Sequence, residues 1–143
     1  MKKFLIIIFI FLFYFNKPAL AIDFGSYLAG ESALINKDNQ SAIYHFKNAI
    51  NSKELKTEYG IDIAKKLCNL YLLEGEIDDC ILLGKKIENQ ISSEDFDSAN
   101  ILMALVVSDI KEKKINSALT RLKKIQKSSY ERFSVPIIEA WLI

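Results

Sequence analysis

Three stretches of this chain, SAIYHFKNAI (41–50), DCILLGKKIE (79–88) and SALTRLKKIQ (117–126), fall into register at a constant step. With Ala42, Cys80 and Ala118 aligned, the step is 38 residues both times (80 − 42 and 118 − 80). Gly30, Cys68 and Val106 lie twelve residues upstream of these anchors, so the register extends across most of each unit. A period of this size describes stacked supersecondary units rather than one closed core. Each unit reads as two helical stretches around a polar turn.

The helical reading rests on spacing. From Ser26 to Ile50 there is no proline, and Asn36–Gln40 is the natural break. Phe24, Tyr27, Leu28, Leu34 and Ile35 precede it at helical intervals; Ala42, Ile43, Phe46, Ala49 and Ile50 follow on one face. Asn39 is the expected N-cap of the second helix. In the next unit Ile61, Ala64, Leu67, Cys68, Tyr71 and Leu72 share a face, and Gly75 offers a left-handed exit. Cys80, Ile81, Gly84 and Ile87 point inward from the helix after it. Ser92 or Ser93 is expected to cap the third unit, whose buried stripe is Ile101, Leu102, Leu105, Val106 and Ile110. Its second helix runs from Ile115 to Gln126 through Ala118, Leu119, Leu122 and Ile125. Residues 133–143 read as the start of a fourth first-helix, with Pro136 in an early position and Ile137, Ala140 and Trp141 inward. Period-2 alternation is missing, so no sheet is expected.

The first 21 residues read as a secretory signal peptide outside this fold. Lys2 and Lys3 precede an apolar run of 12 residues (Phe4–Phe15), and Ala19-Leu20-Ala21 supplies the small residues of a cleavage site after Ala21. Twelve helical residues cover about 18 Å, short of a hydrocarbon core of roughly 30 Å, so a retained anchor is the weaker alternative. No cysteine lies near the site, which argues against a lipoprotein. Removing the leader takes away three lysines and leaves 16 basic against 18 acidic residues. Such a chain has no basic block for nucleic acid or anionic lipid. Its remaining length, 22–143, suits one domain.

These residues resemble the tetratricopeptide repeat family. That family's pattern asks for a small residue late in the first helix with an aromatic three further on, then Ala, an aromatic and Ala in the second. Here the first repeat supplies Gly30, Ala42, Phe46 and Ala49, with Ala33 where an aromatic is usual. The second supplies Leu67, Cys68, Tyr71 and Cys80 but departs at Gly84 and Ile87. The third keeps Leu105 and Ala118 and departs at Val106, Asp109, Leu122 and Ile125. Glu54, Ser92 and Tyr130 stand where the family ends each repeat with proline. The resemblance covers about 24–127. It implies an all-α, right-handed α-solenoid of about three antiparallel helix pairs plus a C-terminal helix, with repeats near 23–56, 61–94 and 99–132. It also implies that Gly30 faces Ala42, small residues allowing the paired helices to approach.

By the same resemblance, first helices line a groove that holds a protein or peptide. Carried over position by position, its residues are Phe24, Tyr27, Glu31, Leu34 and Ile35; then Asp62, Lys65, Asn69, Leu72 and Leu73; then Asn100, Met103, Val107, Ile110 and Lys111. Lys65 and Lys111 could meet a peptide carboxylate. Several of the apolar members could equally pack between repeats.

Cys68 and Cys80 are the two cysteines, and the register places them at the helix-contact positions of one hairpin. In an oxidising compartment they can form a disulfide; the alternative is two small buried residues chosen for size. Two thiols alone do not complete a zinc shell, so no metal or other cofactor is expected. His45 is the single histidine and is expected on the solvent side. No phosphate loop, nucleophile elbow, HExxH or paired active-site carboxylates occur, and the acidic clusters sit at helix starts, where they offset the macrodipole. The expected function is a non-catalytic periplasmic scaffold binding a protein or peptide of the cell envelope. Alternatives are an inner-membrane-anchored assembly factor, or an N-terminal remnant of a longer repeat protein whose apolar C-terminal end favours self-association.

Overall fold

The computed structural model describes residues 23–50, 54–92, 95–125 and 134–142, and every regular element among them is helical. The expected leader 1–21 with its Ala21 cleavage site lies outside the described residues. The helices are α1 (Phe24–Ile35), α2 (Asn39–Ala49), α3 (Glu58–Leu73), α4 (Ile77–Ile87), α5 (Phe96–Lys111), α6 (Ile115–Ile125) and α7 (Ser134–Leu142), with a short 3-10 turn at Glu54–Lys56. Three hairpins result, α1–α2, α3–α4 and α5–α6. Each packs on the next through α2 against α3 and α4 against α5, while α3 also touches α5 and α7 touches α6.

The three hairpin turns have the same backbone. Lys37, Gly75 and Lys113 adopt left-handed φ values of 58°, 80° and 59°. In each turn the next amide reaches back to a carbonyl in the last helical turn: Asp38 to Ala33 at 2.9 Å, Glu76 to Tyr71 at 2.7 Å, Lys114 to Asp109 at 2.8 Å. The left-handed residue's own amide bonds Leu34, Leu72 or Ile110. This pair of bonds satisfies carbonyls that a helix end otherwise leaves open. The positions advance by the same step as the side-chain register, so the repeat is carried by backbone geometry as well as by composition.

Two helix starts are capped by side chains other than the expected ones, and the start of α4 at Glu76 has no side-chain cap bond. Asp38, not Asn39, caps α2 by accepting from the Ser41 amide at 3.0 Å. Asn39 is the first helical residue, and it donates instead to Glu74 Oε1 at 2.8 Å while Gln40 donates to Oε2 at 3.0 Å. Asp95, not Ser92, caps α5 through the Ser98 amide at 2.7 Å. In both cases an aspartate carboxylate displaces the neutral candidate, accepting from the amide three residues on. Thr57 caps α3 and Asp23 caps α1.

One apolar core runs through the first two hairpins into α5, built on Phe46, Ile63, Leu67, Cys68, Ile81, Ile87, Ile101 and Leu105. A second joins α5, α6 and α7 through Ala99, Leu102, Val106, Leu122, Ile125 and Val135. The gap at Gly30 is occupied by the Phe46 ring: a Cβ on Gly30 would lie 2.7 Å from Phe46 Cε1. The expected Gly30–Ala42 approach is therefore governed by an aromatic four residues further along α2. Ile63, unplaced by the sequence, is fully buried, because α3 packs on two sides. Ile110, expected in the buried stripe, is 36% exposed near the end of α5. In α7 the inward residues are Val135 and Ile138; Ile137, Ala140 and Trp141 point away, Trp141 being 89% exposed. The helix meets α6 along a face rotated from the expected one.

Candidate functional site

Beside one another, α3 and α5 leave an open strip between their outward faces. On α3 the strip carries Asn69 and, one turn on, Leu72 and Leu73; on α5 it carries Phe96, Asn100, Met103 and Val107, spaced four, three and four residues. Asn100 Nδ2 donates to Asn69 Oδ1 at 3.0 Å and ties the helices together in the middle of the strip. Two adjoining clefts, about 320 Å³ and about 220 Å³, share Leu72 and Asn100. The smaller is lined by Leu72, Ile77, Asn100, Met103, Ala104 and Val107. Leu73 and Phe96, which line the larger, are mostly exposed.

Six of the fifteen expected groove residues, Asn69, Leu72, Leu73, Asn100, Met103 and Val107, are brought together here. Phe96 and Ile77 belong to the strip without having been expected. The signal for Phe96 was present: it stands four residues before Asn100 on the same helix face.

The first-repeat residues are engaged in holding α1 to α3. The Tyr27 ring packs 6.1 Å from that of Phe46 and 5.0 Å from that of Tyr59, and Phe24 lies 5.9 Å from Tyr59. Lys66 bonds Glu31 at 2.6 Å and sits 5.5 Å from the Tyr27 ring centre. Burial opposes the Lys66 charge, but the Glu31 carboxylate outweighs it and raises the ammonium above its ordinary value. Loss of hydration and the Tyr27 hydroxyl push the Tyr59 phenol up to about 12, so it is no base at neutral pH. Leu34 is half-buried against the core, whereas Ile35 is exposed. Lys65, assigned to a ligand carboxylate, is bonded by Asp95 at 3.1 Å. Burial disfavours the Asp95 charge, yet the Ser98 amide and hydroxyl, followed by Lys65, hold its carboxyl below the usual range. Ile110 and Lys111 lie past the cleft at the end of α5. His45 is half-buried, its ring edge-on to Tyr44.

Cys68 and Cys80 are joined as a disulfide between α3 and α4, with Cα atoms 4.6 Å apart. A charge cluster, unforeseen in the sequence, closes the third hairpin. Arg121 donates through Nε and Nη2 to both oxygens of Glu88 at 2.9 Å, and through Nη1 to Asp109, which is 5% exposed. These carboxylates are bound to a guanidinium, which suits cohesion rather than proton transfer. Among the described residues no group of three or more His, Cys, Asp or Glu could hold a metal ion, and no helix is long and apolar enough to cross a membrane. What the strip can do is bury one or two apolar side chains while the Asn69–Asn100 pair offers polar contacts. Comparison with protein-family models, with curated proteins and with solved structures finds no match to this chain.

Proposed function

We propose that this chain is a non-catalytic, tetratricopeptide-like solenoid scaffold, exported with its leader removed, that holds an apolar segment of a protein partner in the cell envelope. The observation that carries the binding role is the strip between α3 and α5, where Leu72, Leu73, Phe96, Met103 and Val107 stand around a carboxamide pair. Apolar side chains gathered in a concavity, with few polar groups, favour an apolar ligand anchor. The solenoid reading is supported by three hairpins with one turn geometry, each abutting the next. Export is supported by the sequence of residues 1–21.

The test is a pull-down from envelope extract with the chain from Ile22 onward, beside a Leu73→Glu/Met103→Glu/Val107→Glu variant of unchanged circular dichroism. The variant is expected to retain less than about a tenth of the partner, since desolvating a carboxylate in an apolar contact opposes binding. A partner retained undiminished excludes this strip as its contact. N-terminal sequencing of the exported protein is expected to begin at Ile22; a start at Met1 removes the cleaved-leader part of the proposal.

A further inference from the structure

At the position where the first hairpin seats Phe46 in the gap at Gly30, the third has Val106 and Leu122, both buried in its core. The middle hairpin has Cys68 and Gly84 there, and so no large side chain. Gly84 gives its space to α5: a Cβ would lie 2.9 Å from Ile101 Cγ2. The helix α4 is thus drawn toward α5 where α2 and α6 grip their own hairpin partners. Accordingly, α3 and α4 approach each other over less of their length than α1 and α2, or α5 and α6. What crosses the seam at this level is the Cys68–Cys80 disulfide, both residues fully buried. The first core, which runs from α1 to α5, passes through the same seam.

We propose that this disulfide makes the fold a redox-conditional device, closed when oxidised and open along the α3–α4 seam when reduced. The step is thiol–disulfide exchange with a dithiol. A dithiol thiolate attacks one cysteine sulfur, the Cys68–Cys80 bond breaks and a mixed disulfide forms. The second dithiol sulfur then displaces the protein, leaving two cysteine thiols and an oxidised dithiol, with two electrons and two protons transferred. Because both sulfurs are buried, the seam must open before attack, so the closed state resists reduction. Under the proposed export, the reduced chain is loose on the cytoplasmic side. A disulfide-bearing oxidant beyond the membrane then locks it. This inference is independent of the apolar strip.

The test melts the chain from Ile22 onward by circular dichroism, oxidised and fully reduced with dithiothreitol, reduction being verified by thiol labelling. The reduced midpoint is expected to fall by about 10 °C or more. Hydrogen exchange is expected to show α3 and α4 losing protection before α5 and α6. A Cys68→Val/Cys80→Ala variant, copying Val106 and Ala118, is expected to melt alike in both conditions. Equal midpoints for oxidised and reduced wild type overturn the proposal. Protection lost first outside α3 and α4 overturns the location of the weak seam.

Discussion

The middle and third hairpins share a register but differ in what joins their helices. Cys68 and Cys80 in the middle correspond to Val106 and Ala118 in the third, and all four are fully buried. Tyr71 and Leu83 in the middle correspond to Asp109 and Arg121, so positions held by two members of the apolar core in one hairpin carry an ion pair in the other. The two devices act on different states. A disulfide restricts the unfolded chain and is indifferent to pH, whereas a buried ion cluster acts in the folded state and depends on every partner being charged and present. A repeat register thus determines where helices meet while leaving open which chemistry holds them.

The largest effect that would break this comparison comes from removing the guanidinium. Arg121→Leu leaves Asp109 buried without its cation and is expected to cost about 3–5 kcal/mol in urea denaturation. The double change Asp109→Tyr/Arg121→Leu, which installs what the middle hairpin has, is expected to recover most of that loss. Glu88 keeps Lys124, at 3.4 Å, in either variant. If the double variant is as weak as the single one, the two positions are equivalent in register only and not in packing.

Acid sharpens the same contrast. The Arg121 hydrogen bonds hold the Glu88 carboxyl below its ordinary 4.5, in spite of the burial that opposes its charge. A depressed folded-state value means that the stabilisation is complete above about pH 4.5 and is lost as pH falls through the folded value. The third hairpin is therefore expected to weaken by on the order of 1 kcal/mol toward pH 3, a modest figure because the pair is partly solvated. The seam closed by the disulfide has no such dependence. Hydrogen exchange at neutral and acid pH checks this, and faster acid opening of α3–α4 than of α5–α6 would contradict it.

The contrast also marks what was legible in the sequence. Spacing located the helices, the turns and the Cys68–Cys80 contact, because the helical period and the repeat step are properties of the backbone. It did not locate the Asp109–Arg121–Glu88 cluster. Arg121 stands three residues after Ala118 on an inward stripe, but its partners come from α4 and α5, and only the packed structure aligns them. The strip between α3 and α5 was half legible. Asn69, Leu72, Leu73, Asn100, Met103 and Val107 followed from the resemblance, whereas Tyr27 and Lys65 were drawn into internal contacts that residue type alone does not show. The orientation of α7 was misread because a nine-residue helix with apolar residues on several faces has no dominant stripe, and its contact with α6 decides.

The smallest effect tests whether the hairpins are equal as backbones when their seams are not. Lys37, Gly75 and Lys113 hold the same left-handed conformation, but glycine alone adopts it without a Cβ clash. Lys37→Gly and Lys113→Gly are each expected to stabilise the chain by about 1 kcal/mol, and Gly75→Ala to destabilise it by about the same. No packing term obscures the Gly75 substitution, since a Cβ there meets nothing within 4 Å. Thermal melts of the three variants give the comparison directly. Matching magnitudes would mean that the turn is one unit used three times, so that the differences among hairpins reside entirely between their helices. A gain at Lys37 without one at Lys113 would place part of the difference in the turn itself, where the Lys114–Glu112 ion pair at 2.5 Å has no counterpart across the first hairpin's Asn36 and Asp38.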